Sequence, residues 1–136
     1  MKPLITFAAT LLTLSLQAQP LPNFAGTWTP VEGAPADRTV VVAQTAAKLT
    51  VTRRGDEHPL EASLDGAAIK QADELVEVSA KRVGDALVLT IATTTDFGDT
   101  TVRKETWTLD ANGRLIIERD RRGASGGVER VVYRRN

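Results

Sequence analysis

Apolar and polar residues alternate along most of the chain after residue 24, and turn residues interrupt the alternation at short intervals. Successive side chains of a β-strand point to opposite faces, so alternation indicates strands with one buried face. No stretch of ten or more residues keeps the spacing of an amphipathic helix. Nine strands are predicted, at residues 24–30, 38–44, 48–53, 59–64, 74–83, 86–95, 100–109, 114–121 and 128–134.

Glycine-containing turn pairs separate these strands: Gly55-Asp56, Asp65-Gly66, Gly84-Asp85, Gly98-Asp99, Asn112-Gly113 and Gly126-Gly127. Short turns join antiparallel neighbours, whereas a parallel sheet needs crossover helices that this pattern does not contain. The prediction is an all-β fold, an antiparallel up-and-down meander of eight to nine strands. Closure into a barrel, complete or nearly so, would protect the sheet edges. A two-layer sandwich is the alternative.

The pair Gly84-Asp85 predicts the register of one hairpin. As a two-residue turn with glycine first, it places Val83 opposite Ala86. One face of this hairpin is then apolar, because alternate residues share a face. Its members are Val76, Val78 and Ala80 on the first strand and Leu87, Leu89 and Ile91 on the second.

The next hairpin is registered by turn chemistry and charge together. Residues 110–113 read as a type I turn closed by a left-handed glycine. Trp107 then faces Ile117, and Glu105 faces Arg119, an opposite-charge pair that favours this register. A slip of one residue would instead place Glu105 opposite another carboxylate, Glu118.

The amino-terminal residues are typical of a secretory signal peptide. Lys2 precedes an apolar run at residues 4–16, and Ala18 is a suitable small residue before a cleavage point. The run is too short to span a bilayer as a helix, so no stable membrane span is expected. We therefore expect a signal peptide at residues 1–18, a single domain at residues 19–136, and a periplasmic or secreted protein.

Composition narrows the classes of function. The chain has no cysteine, which removes disulfides, thiol nucleophiles and cysteine-ligated metals from consideration. Without Lys2, the expected mature chain carries 16 basic and 17 acidic residues, a balance that favours neither nucleic acid nor an anionic membrane as a partner. From residue 103 onward there are nine basic and five acidic residues, but they alternate with apolar ones as on half-exposed strands.

Residues 23–28 read Asn-Phe-Ala-Gly-Thr-Trp and open the first predicted strand. This segment resembles the F-x-G-x-W motif of lipocalins and fatty-acid-binding proteins, and Thr95-Asp96-Phe97 is similar to the later T-D-Y motif of lipocalins. The chain also resembles short exported bacterial proteins described only as lipocalin-like, which implies a fold and no established activity. The resemblance implies a barrel-closing motif whose members are Phe24, Gly26, Trp28 and an arginine across the tryptophan, Arg121 or Arg122.

Two motif matches point to catalysis and are rejected. Ser125 lies in a G-x-S-x-G sequence, but a nucleophile elbow needs a strand-to-helix turn and a later histidine. The single histidine, His58, precedes it and cannot form a zinc site alone. We therefore expect no catalytic residue, no metal site and no cofactor, and an enzyme is the less favoured class.

The favoured function is the binding of a small apolar or amphipathic ligand inside the barrel, with a charged group at the pocket mouth. The alternative is a barrel filled by side chains, with a structural or protein-interaction role. Few aromatic residues are available to line a cavity, which favours the alternative. The oligomeric state is left open. The candidate lining residues are Val76, Val78, Leu87, Leu89, Ile91, Glu105, Trp107, Ile117 and Arg119.

Overall fold

A computed structural model describes residues 20–121 and 127–136, and for Arg121 it describes the backbone alone. The predicted signal peptide, Arg122 and Ser125 therefore lie outside the described residues. Every regular element in the described part is a strand. The ten strands are β1 (Gly26–Glu32), β2 (Val40–Gln44), β3 (Lys48–Arg53), β4 (Leu60–Ser63), β5 (Ile69–Lys70), β6 (Val76–Val83), β7 (Ala86–Thr94), β8 (Thr100–Leu109), β9 (Leu115–Arg121) and β10 (Gly127–Arg135).

The strands form one antiparallel sheet in the order β4-β3-β2-β1-β10-β9-β8-β7-β6-β5. Each strand pairs with the next strand in the chain, except that β4 does not pair with β5. In addition, β1 pairs with β10. The sheet curls into a nearly closed barrel, which confirms the predicted all-β meander and is compatible with a calycin-like fold. The prediction missed β5, because a strand of two residues leaves no visible alternation.

A glutamine side chain covers the gap between β4 and β5. The backbone N–H of Glu61 donates to Oε1 of Gln71 at 2.8 Å, and Nε2 of Gln71 donates to the Glu61 carbonyl at 2.8 Å. The side-chain amide thus takes the place of a neighbouring strand's peptide group. It satisfies an edge that would otherwise present unpaired backbone groups.

Both predicted hairpin registers are confirmed. Val83 pairs with Ala86 across the β6–β7 turn. In the β8–β9 hairpin, Trp107 pairs with Ile117 and Glu105 with Arg119. Gly113 closes that turn with a φ of 76°, a conformation that costs glycine little and other residues more.

The barrel interior is apolar at one end, which we call the tryptophan end. Phe24 and Trp107 meet there edge to face, with ring centroids 5.9 Å apart. Trp28 is completely buried beside them, and its ring N–H donates to the Phe24 carbonyl at 2.9 Å. Leu49, Leu87 and Leu115 complete this packed region. No helix in the described residues has the length and hydropathy to cross a membrane.

Candidate functional site

The opposite end of the barrel carries charged side chains on its interior face, and we call it the arginine end. It is defined by Arg53, Arg103, Glu105, Arg119 and Tyr133. Three strands bring the charges there. On β8, residues 103, 105 and 107 share the interior face because side chains alternate along a strand. The β8–β9 register then places Arg119 beside Glu105.

Glu105 is the one charged residue that is buried in the described part of the chain, with no exposed surface. Nη2 of Arg53 donates to both carboxylate oxygens, at 3.1 and 3.0 Å. Nε of Arg119 donates to Oε1 at 2.8 Å, and the ring N–H of Trp107 lies 3.3 Å from Oε2. A third guanidinium, that of Arg103, lies 3.8 Å from Oε1.

These contacts keep the carboxylate ionised. Burial opposes ionisation of Glu105, but the charges of Arg53, Arg119 and Arg103 outweigh it and hold its pKa below the usual range. Arg53 and Arg119 keep 23% and 20% of their side chains exposed. Glu105 therefore holds two partly exposed arginine side chains at this end of the barrel.

Tyr133 adds a neutral hydrogen-bonding group. It is buried, and burial raises the pKa of its phenol, although the nearby Arg119 and Arg53 oppose that shift. The phenol is therefore protonated at neutral pH and can donate a hydrogen bond. Tyr133 and Arg119 border the same cavity.

That cavity opens at the arginine end and has a volume of about 350 Å³, within the lower part of the range for small-molecule sites. Its apolar lining includes Val40, Val131 and Pro35. Its charged lining consists of Arg38, Arg53, Arg54 and Arg119 with Asp56 and Glu129. Nε of Arg53 is buried and has no hydrogen-bond partner among the described residues. The arrangement can therefore accept an anionic group next to an apolar surface.

The predicted lining residues all lie on the interior side of the barrel, but only Arg119 among them borders this cavity. Val76 borders a second cavity of about 400 Å³ between the β3–β4 loop and the β5–β6 turn. Leu87 borders a third, of about 610 Å³, at the tryptophan end beneath residues 20–23. The other six, Val78, Leu89, Ile91, Glu105, Trp107 and Ile117, are buried in the core.

Sequence reasoning missed Arg53, Arg38 and Tyr133. A signal for Arg53 was present, since it continues the inward alternation of Leu49 and Val51 along β3. Arg38 was predicted as the first residue of a strand, but β2 begins at Val40 and Arg38 lies in the β1–β2 loop, where strand alternation does not fix the direction of a side chain.

Phe24, Gly26 and Trp28, predicted as members of a barrel-closing motif, lie at the tryptophan end, and the arginine found across Trp28 is Arg135 instead of Arg121 or Arg122. The guanidinium of Arg135 lies over the Trp28 ring, 4.5 Å from its centroid, and Nη2 donates to the Asn23 carbonyl at 2.8 Å. Gly26 has a φ of 140°, and a Cβ there would lie 3.3 Å from Nε of Arg135, so glycine makes room for the arginine. The side chains of Arg121 and Arg122 lie outside the described residues. The backbone of Arg121 pairs with Gly127, at the other end of β10 from Arg135.

Within residues 20–121 and 127–136, no group of three or more His, Cys, Asp or Glu side chains is arranged to hold a metal ion. His58 borders the second cavity together with Glu57 and Asp73. Comparison with models of known protein families found no match, and no curated protein matches the chain.

Proposed function

We propose that this chain is an exported, lipocalin-like binding protein for a small amphipathic molecule, whose anionic group binds at the arginine end. The observation that supports this proposal is the cavity of about 350 Å³, whose lining combines Arg53, Arg119 and Tyr133 with the apolar Val40 and Val131. Guanidinium groups bind carboxylates and related anions with strong, directional hydrogen bonds.

The lipocalin-like assignment is supported by two features at the tryptophan end. The segment from Asn23 to Trp28 opens β1, and the meander returns so that β10 pairs beside it. Trp28 is also completely buried under Arg135, as expected of a plug at that end of a barrel. The export part of the proposal predicts that protein recovered from the cell envelope or medium begins near Gln19. Intact protein with Met1 in the cytoplasm would contradict it.

A second candidate is a filled barrel with a structural or protein-interaction role. It is favoured by the large side chains without exposed surface in the interior, among them Phe24, Trp28 and Trp107. In this reading, the arginine end is an ionic plug and takes no ligand.

Native mass spectrometry of the purified protein, followed by titration with an environment-sensitive fatty-acid probe, separates the two candidates. Ligand binding predicts saturable binding at micromolar probe, and Arg53→Gln should weaken it about tenfold or more, as expected for loss of a charged hydrogen bond. Arg134→Gln, an exposed site on β10, is the matched control and should bind like the wild type. A protein with no co-purified mass and no saturable binding would favour the filled barrel.

A further inference from the structure

An ionic bridge crosses the barrel interior at the arginine end, and it consists of Arg53, Glu105 and Arg119. Arg53 lies on β3 and Glu105 on β8, and the strands β2, β1, β10 and β9 lie between these two in the sheet. Their contacts of 3.0 and 3.1 Å therefore join opposite walls. Both arginines line the cavity, whereas Glu105 and the described residues of β7 do not. The bridge thus bounds the cavity on one side.

The cavity is also closed towards the tryptophan end. Its wall includes Val40, Val131 and Tyr133, which are almost completely buried and also belong to the core. Val42, the next inward residue of β2, is buried and does not border the cavity. Neither does Ile117, the fully buried cross-strand partner of Val131. The cavity therefore reaches the first layer of interior side chains and stops there.

The depth of that layer limits the apolar part of a ligand. β2 and β10 each contribute one aliphatic side chain to the wall, Val40 and Val131. Inward residues follow one another at about 7 Å along a strand, a length that an extended alkyl chain covers with about five methylene groups. A longer tail has to turn out into solvent, where further methylenes add little affinity because apolar stabilisation follows the area removed from water.

We propose that the arginine end takes an anion with a short apolar group, of about the size of a six-carbon carboxylic acid, and does not select long acyl chains. The inference rests on the function proposed above and adds the size class of the ligand. In this arrangement the carboxylate binds the arginines of the cavity wall, and the tail packs on Val40 and Val131. The ionic bridge and the packed core behind these residues exclude the tail from the rest of the barrel.

A series of straight-chain carboxylates tests this size limit, because its members share a head group and differ only in tail length. Acetate, butanoate, hexanoate, octanoate and decanoate are all ionised at pH 7. We expect the dissociation constant, measured by titration followed by protein NMR, to fall by about fourfold per methylene up to hexanoate. From hexanoate to decanoate it should change by less than about twofold.

The outcomes of the series separate this inference from the proposed function. Affinity that keeps rising from hexanoate to decanoate would leave the proposed function standing and overturn the size limit. Affinity that does not rise between acetate and hexanoate would overturn the apolar wall as a binding surface. If none of the acids binds, the proposed function fails and this inference fails with it.

Val131→Thr tests where the tail lies, because it keeps the shape of the side chain and replaces one methyl group by a hydroxyl. The ratio of the dissociation constants for acetate and hexanoate should shrink by about fourfold. Val132→Thr is the matched control. Val132 is the next residue of β10, faces the other side of the strand, is also buried and does not border the cavity, so its variant should keep the wild-type ratio.

Val40→Thr makes the same change on the β2 side of the wall and replaces Val131→Thr if that variant does not fold. A general loss of stability would weaken the binding of acetate and hexanoate together and leave their ratio unchanged. An unchanged ratio in the cavity variant therefore overturns the placement of the tail on Val40 and Val131.

Discussion

The two ends of the barrel are built on the same strands but with opposite chemistry. Three strands change along their length from apolar side chains at the tryptophan end to charged ones at the arginine end. Their inward residues, in that direction, are Leu49, Val51 and Arg53 on β3, Trp107, Glu105 and Arg103 on β8, and Leu115, Ile117 and Arg119 on β9. The tryptophan end stabilises the fold by burying apolar surface, which is non-directional and independent of charge. The arginine end holds ions in place, at a cost in desolvation.

Under the proposed function, stability depends mainly on the tryptophan end and ligand binding on the arginine end. A substitution at the tryptophan end should change the free energy of unfolding at any pH. A substitution at the arginine end should change the free energy of unfolding through charge, by an amount that depends on which charged partners remain.

The largest effect is expected at the tryptophan end. Trp28→Ala should lower the free energy of unfolding by about 3–5 kcal/mol, because it removes a completely buried aromatic ring and leaves a cavity. Urea denaturation measures this. Phe97→Ala is the control, since Phe97 is 94% exposed and its loss should cost less than about 0.5 kcal/mol. Equal costs for the two variants would contradict the assignment of Trp28 to the core.

At the arginine end, the costs of single substitutions in unfolding free energy should not add up to the cost of the double substitution. Arg53→Leu or Arg119→Leu alone leaves Glu105 in contact with the other arginine. The double variant leaves the buried carboxylate with the Trp107 ring N–H and with Arg103, at 3.8 Å, as its one cation among the contacts described above, and should cost about 3 kcal/mol. Adding Glu105→Leu to the double variant should recover part of that loss, because no buried charge remains without a partner. Additive single costs would show that the three groups do not act as one unit.

The pH dependence should also separate the two ends. Since the pKa of Glu105 is lower in the folded chain than its ordinary value of 4.5, its ionic contacts contribute fully above about pH 4.5. That contribution is lost as the pH falls through the lower, folded-state pKa. The difference in unfolding free energy between wild type and Glu105→Gln should therefore shrink on acidification. The cost of Trp28→Ala, measured over the same range, should stay constant.

The smallest effect is expected where a cation covers an aromatic ring. Arg135→Ala removes the guanidinium over Trp28 and should cost about 0.5–1 kcal/mol, because the site is partly exposed. Its exposed neighbour Arg134 is the control, and Arg134→Ala should be nearly neutral in thermal melting. A neutral Arg135→Ala would mean that Trp28 is held by packing alone.

The sequence predicted the fold wherever short-range chemistry decides the structure. Turn residues and cross-strand charge set both hairpin registers, and the pairing of Glu105 with Arg119 followed from them. Arg53 lies 52 residues from Glu105 in the chain, and their contact depends on how the barrel curls. No local pattern encodes that curvature. The same reason explains why the position of Arg135 over Trp28 was not foreseen.

The bridge made by Gln71 at the β4 edge could not be predicted either. A glutamine in a turn segment is usually solvated, and only the curl of the sheet brings Gln71 to Glu61. The partial burial of Arg53 and Arg119 likewise depends on how the whole sheet curls, which no local pattern indicates. The sequence therefore indicated which residues face inward, but not which cavity each one borders.

The unpaired boundary between β4 and β5, which Gln71 bridges, suggests another order in which loops could connect the same ten strands. The break in the ladder lies between β4 and β5, in the middle of the chain, whereas β1 and β10 pair in the middle of the sheet. Asn136 donates its backbone N–H to Thr27, so the last residue lies beside the first strand. A circular permutant that joins residue 136 to the segment before β1 and begins within residues 65–68 would run through the sheet in strict order from one edge to the other. In that form every ladder would be a local hairpin, and folding should become faster because no pairing would wait for the two ends of the chain to meet.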